Sequence, residues 1–360
     1  MIGARQTKLI GSLVLVATTS FLTVTGFARA RARTNAATGA TVDLPAAVRT
    51  LPRSLVSTSV NSRAGYVDVK VGPINLPAGV AGLRTPIQLV NMPITGWIRG
   101  FEWNVEDEKG NVLPNSLLHH VNLIDPARRE LFGPAPLRVV AAGNETRAFN
   151  LPALLGYPLE PKTQFMLVGM FANPTNQSHA RAFLRLRIRY SDTKWAPRLN
   201  IFPFYLDAMG LVGEKSFDVP PGLTRRSWEA RPATDVRILG LGGHAHDYVR
   251  SLELTDVTTG SRLYSARLSL DANGKLLGVP AQYVLWQGGI KLKKDHRYRI
   301  TVEYDNPTSK TAGGMGVIAG FALGKKAWPT VNPADAEYIA DIHNIISAPM
   351  IAGGSGGHHH

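Results

Sequence analysis

The sequence predicts an all-β protein: two consecutive antiparallel β-sandwiches, jelly-roll-like, followed by a short C-terminal helix. Three observations lead there. The 360 residues include 35 glycines and 24 prolines, which divide the chain with many turns and favour short strands over long helices. Between those turns apolar residues recur at every second position, the period of a half-buried strand. A pentapeptide also recurs, Phe171-Ala172-Asn173-Pro174-Thr175 echoed by Tyr304-Asp305-Asn306-Pro307-Thr308. Each copy follows an apolar strand, so the chain reads as two related halves.

Residues 1–30 read as a signal peptide. Arg5 and Lys8 are its basic start, 9–27 its apolar stretch, and Ala28-Arg29-Ala30 a small-x-small cleavage site. The alternative is an uncleaved anchor, since that stretch is just long enough to span a bilayer. Either way an exported protein is expected: periplasmic, extracellular or associated with the cell envelope. Contact with a membrane is expected only through such an anchor.

Residues 31–60 form a loose linker rich in Ala, Thr, Ser and Arg. The first sandwich is expected over 60–192, with strands at 66–71, 85–90, 95–102, 119–124, 164–171 and 183–190. Residues 193–233 carry five prolines and the cluster Phe202, Phe204 and Tyr205, and read as a connection between the halves. The second sandwich covers 234–326, with strands at 236–241, 248–257, 262–268, 282–287, 298–304 and 315–323. Residues 327–352 hold the helix and its tail. Asn332 is the expected cap and Pro333 the first turn; the helix runs to about residue 346, with Tyr338, Ile342 and Ile345 on one face. Residues 353–360 are a Gly/Ser/His tail.

Hydrophobic content of 44% and charged content of 18% describe a globular chain. The net charge of +14 is spread out. Its densest run, Arg185, Arg187 and Arg189, alternates with Leu184, Leu186 and Ile188, as on the solvated face of a strand. No helix-turn-helix, zinc-finger or RNA-recognition pattern accompanies the charge, so no nucleic-acid partner is expected. There is no cysteine, so no thiolate can hold a metal. Any metal site must use His, Met, Asp or Glu.

The stretch Gly242-Gly243-His244-Ala245-His246 offers such a site. On a strand, residues i and i+2 share a face, so the two imidazoles can close on one ion. Met315 follows Gly313-Gly314, where a glycine pair lets backbone and ligand approach closely. Two imidazoles and a thioether suit Cu(I) better than zinc. His119 and His120 are adjacent and on a regular strand would face opposite ways. They can share a metal only at a strand end or a bulge, which Asn115-Ser116 could provide. Beyond each pentapeptide lies one further possible ligand, His179 in the first half and Met315 in the second. Asp247 could orient an imidazole or simply face solvent. His296 and His343 read as surface.

A His-His pair, then His-x-His, then a methionine resembles the type II copper, ascorbate-dependent monooxygenases, the family of peptidylglycine α-hydroxylating and dopamine β-monooxygenases. The likeness spans about residues 85–325 and suggests a divergent, bacterial-type member. It implies two sandwiches, each lending one copper to a shared cleft. His244, His246 and Met315 would form the oxygen-binding copper site, where hydrogen abstraction and hydroxylation occur. His119 and His120 would belong to the copper that stores and delivers an electron. The family's third histidine for that copper falls on Met170 here, so either Met170 or nearby His179 would complete it.

The family's disulfides are missing. Its substrate-binding arginine is replaced by Gly242, and its asparagine and tyrosine after the methionine by Val317 and Ala319. A peptide ending in glycine is therefore not the expected substrate. The expected activity is hydroxylation of a C–H bond of a small molecule, using O2, an external one-electron reductant such as ascorbate, and one or two copper ions. Two alternatives stand beside it: a non-catalytic copper-binding or copper-handling protein on the same scaffold, and a two-sandwich interaction module without metal.

Overall fold

The computed structural model describes residues 55–347 except 145, 147, 193–198, 211–214 and 326. The expected leader and the Gly/Ser/His tail lie outside the described residues. In the first half the main strands are β1 (Val56–Asn61), β2 (Tyr66–Leu76), β3 (Gly96–Glu106), β4 (Leu118–Arg129), β5 (Pro136–Gly143), β6 (Leu155–Leu159), β7 (Gln164–Phe171) and β8 (His179–Ser191). The second half contributes β9 (Leu199–Asp207), β10 (Phe217–Val219), β11 (Gly222–Ala230), β12 (Val236–Ala245), β13 (Val249–Asp256) and β14 (Ser261–Arg267). It continues with β15 (Tyr298–Asn306), β16 (Ala312–Gly314) and β17 (Gly316–Leu323), and ends in helix α1 (Ala336–Ser347). The chain is all-β with one short helix among the described residues.

The alternation that predicts strands is also what buries them. Val67, Val69 and Val71 of β2 and Leu184, Leu186 and Ile188 of β8 are fully buried. The intervening arginines of β8 meet carboxylates across the sheet. Arg187 lies 2.7 Å from Asp68, Arg189 3.4 Å from Glu102 and Arg185 3.8 Å from Glu106. The densest basic run is thus neutralised in place.

One sheet crosses both halves in the order β1-β2-β8-β3-β6-β9-β17-β12. It is continuous because β6 and β9 pair in parallel, Leu155 with Leu199 and Gly156 with Asn200. In the first half β7, β4 and β5 make the facing sheet; in the second it is β11-β15-β13-β14. The core runs through both. Phe132, between β4 and β5, sets its ring 6.1 Å from Phe204 on β9 and 6.3 Å from Tyr298 on β15.

Three expectations change. The stretch read as a connection, 193–233, contains β9, β10 and β11, which are integral strands of the second half. Phe202, Phe204 and Leu206 alternate into the core, a pattern that Pro203 hides. The first strand starts at Val56, inside the expected linker. The helix starts later than expected: Asp335, not Asn332, caps it, accepting from the Glu337 N–H at 2.9 Å. Its predicted face holds, with Tyr338 and Ile342 packed on Ile87, Ile124, Met166 and Val168.

Candidate metal centre

Strand β12 is bonded to β17, with Gly242 opposite Ala319, His244 opposite Val317 and Ala245 opposite Gly316. Directly paired residues point to the same face. Leu241, Ala245 and Ile318 face the core, so Gly242, His244, Val317 and Ala319 face away from it. The chain continues to His246 on one strand and back to Met315 on the other. Both lie just past the last bonded pair.

Tyr304 of β15 fixes that end. Its hydroxyl accepts from the His246 N–H at 3.1 Å and the Met315 N–H at 3.0 Å, and donates to the Met315 carbonyl. One donor and two lone pairs are all used. The ring is fully buried, and burial pushes its pKa up to about 12. Nδ1 of His246 lies 3.2 Å from the Gly313 carbonyl. A carbonyl only accepts, so Nδ1 carries the proton and Nε2 keeps the lone pair that a metal needs. Met315 is half-buried and belongs to none of the apolar clusters, whereas Met166 is fully buried.

His119 and His120 open β4, just after a 3-10 turn at Asn115–Leu117. Across the ladder Phe171 pairs with Leu118 and Met170 with His120. His119 is therefore the extra residue of a bulge, and the adjacent rings turn toward each other. Their Nδ1 atoms are 2.8 Å apart and the ring planes perpendicular. The two pairs, distant in sequence, meet. The His120 and His244 ring centroids are 6.4 Å apart, and those of His244 and His246 are 5.2 Å apart.

The candidate third ligands separate. Met170 is the direct cross-strand neighbour of His120. His179 begins β8 in the other sheet, opposite Leu76. Nor is His179 the counterpart of Met315. It sits six residues after Asn173, as Ala312 does after Asn306, and Ala312 likewise pairs with Val219. The expected parallel between the two third ligands therefore fails, because Met315 lies three positions further on. The pairs are not equivalent either: His119 and His120 follow Leu118, which faces Phe171, while His244 and His246 precede Val249, which faces Tyr304.

Among the described residues, no group of three or more His, Cys, Asp or Glu side chains is arranged to hold a metal ion. The donor set is instead paired imidazoles with a methionine near each pair. That set fits a soft ion such as Cu(I) rather than zinc.

A second group, which no motif in the sequence marks, lines the same face. Asp207 of β9 pairs with Val317, and Tyr205 with Ala319, so both share the face of His244. The Arg138 guanidinium of β5 lies 4.2 Å from the Tyr205 ring centre and its Nε donates to Glu130 at 2.8 Å. Burial pushes the carboxyls of Glu130, Asp207 and Asp341 up and the Lys215 amine down. Burial would also pull Arg138 down, but Glu130 and Tyr205 hold it above its usual range. Asp207 is close enough to feel the charges of Lys215, Arg138 and His244. Asp247, by contrast, accepts from the Leu276 N–H at 2.9 Å and ties down a loop.

No protein-family model matches this sequence, and no curated protein does. Among solved structures, the chain has similarity to the major capsid protein P2 of bacteriophage PM2, at 13% identity over 73% of this chain and 99% of that one, with a TM-score of 0.35. The mavirus major capsid protein is similar at 10% identity over 85% and 93%, with a TM-score of 0.25.

Proposed function

We propose that this protein is an exported copper-dependent monooxygenase-like enzyme that hydroxylates a C–H bond of a small molecule. The observation that carries the reading is the meeting of two histidine pairs from different halves, 6.4 Å between the His120 and His244 ring centres, at the strand end that also bears Met315. His244, His246 and Met315 would hold one ion; His119 and His120, with Met170 beside them, would hold the other. Copper, when bound, supplies the one-electron chemistry that lets O2 react with an unactivated C–H bond. An external reductant such as ascorbate would deliver the electrons singly, one oxygen atom entering the product and the other leaving as water.

The chain's own residues would do the positioning. Tyr304 ties His246 and Met315 to one hydroxyl, and the Gly313 carbonyl orients the His246 ring. Gly242 and Ala319 leave the histidine face low, while Asp207, Arg138 and Lys215 give it polar walls. This favours a polar small molecule over a peptide.

A second reading is a non-catalytic copper-handling protein. It is favoured by the absence, among the described residues, of a ready three-ligand group of His, Asp or Glu. Reconstitution of the full chain with copper separates the two, followed by O2 uptake with ascorbate and a panel of small aromatic and aliphatic substrates. The enzyme reading expects substrate-dependent uptake and a hydroxylated product, both lost in His244→Ala. Bound copper without such uptake would leave the handling role. Equal copper in wild type and His244→Ala would end both.

A further inference from the structure

One face, where the two halves join, carries large apolar side chains that folding leaves in water. Trp286 is 90% exposed, Tyr283 65%, Leu154 63% and Leu199 47%. They come from three stretches of chain that the fold brings together. The Leu199 N–H donates to the Leu154 carbonyl at 2.8 Å. Leu285, next to Trp286, packs on the small cluster that holds Leu151 and Leu155. The Tyr283 ring lies against Gly240 of β12.

Beside these tips runs a groove of about 600 Å³, lined by Leu199, Arg237, Lys291, Lys293 and Lys325 together with Asp235. Arg237 pairs with Lys291 across the strands, and its guanidinium donates to the Gly288 carbonyl, two residues from Trp286. Lys293 lies 3.4 Å from Asp235. Among the described residues that is the one carboxylate lining the groove, where four cations face a single anion. Lys291 and Lys325 are exposed. The chain as a whole carries +14.

Exposed aromatic and leucine tips flanked by cations match an amphiphilic surface. Tryptophan and tyrosine settle at the boundary of headgroups and acyl chains, and lysine reaches the phosphates. A protein partner matches less well, because the buried centres of protein interfaces are depleted in lysine. We propose that this face docks on an anionic lipid bilayer. Trp286 and Tyr283 enter the headgroup layer, while Arg237, Lys291, Lys293 and Lys325 meet lipid phosphates. This is independent of the metal chemistry proposed above.

The test uses the full chain and vesicles of bromine-labelled phosphatidylcholine, with or without about a third phosphatidylglycerol. The difference in fluorescence between wild type and Trp286→Phe reports residue 286 alone. That separates this face from any attachment through the apolar stretch at 9–27. The expected result is quenching of the residue-286 component on anionic vesicles, weaker on neutral ones and reversed by salt. Lys291→Glu with Lys325→Glu should raise the lipid concentration needed by about tenfold or more. The proposal is overturned if that component is unchanged by vesicles, if the charge reversals leave it unaffected, or if it shifts with protein concentration without lipid, the sign of a protein–protein surface.

Discussion

In the first half the Asn173 amide donates to the carbonyls of Leu76 and Gln177, and its oxygen accepts from Thr175. In the second, Asn306 donates to Val219 and Lys310 and accepts from Thr308. The same clamp thus closes the same strand crossing twice. Two residues before each asparagine the halves part. Phe171 has no polar atom to offer, while Tyr304 uses its hydroxyl to hold the backbones of His246 and Met315. The first histidine pair is instead set by the bulge at His119. Repetition accounts for the frame, and each half then places its histidines by a different device.

The largest expected effect comes from making the second half resemble the first. Tyr304→Phe deletes three hydrogen bonds and leaves two backbone N–H groups without their acceptor, for a loss of about 3 kcal/mol. Urea denaturation measures it, and copper held by His244 and His246 should fall while that held by His119 and His120 stays. Equal loss at both pairs would mean that the hydroxyl supports the whole fold rather than one site. Next come the clamps themselves. Asn173→Ala and Asn306→Ala should each cost about 2 kcal/mol, and similar values would confirm that the two clamps are equivalent.

Smaller again is the test of the first pair. Met170→Ala should weaken copper retention at His119 and His120 by about tenfold, and His179→Ala should leave it unchanged; metal titration against a chelator distinguishes them. The reverse order would restore His179 as the ligand.

The smallest effect concerns pH. Burial raises the Asp341 carboxyl above its usual 3.8, with Arg138 and Lys215 opposing. The folded state therefore keeps this proton longer than the unfolded chain. The group contributes stability below 3.8 that is lost as pH rises through its folded pKa. Asp341→Asn carries no charge at any pH and should flatten that decline. Urea midpoints across the acid range check it, and an unchanged slope would place the titration elsewhere.

Much of this was legible in the chain. Strict alternation in 66–71 and 183–190 marked strands because one face is buried and the other wet. The His-x-His motif gave the second pair, and the repeated pentapeptide gave the two-half plan. What stayed hidden depends on contacts between distant strands. Strand β9 was masked by Pro203, which is tolerated because, among the described residues, one edge of that strand is paired only at Leu199 and Asn200. The bulge that turns His119 toward His120 depends on the pairing of β4 with β7. Asp207, Tyr205 and Arg138 gather only once β5 and β9 pack together. Tyr304 looked like part of a motif until its hydroxyl was seen to reach His246 and Met315.

The claim on which the account rests is that the two histidine pairs form one centre. Electron paramagnetic resonance of the chain loaded with Cu(II) at both pairs tests it most directly. Adjoining pairs predict spin–spin coupling between the two ions, which disappears when either His244→Ala or His119→Ala empties one side. A spectrum equal to the sum of the two single-pair variants, with no coupling, would show two separate sites and contradict the account.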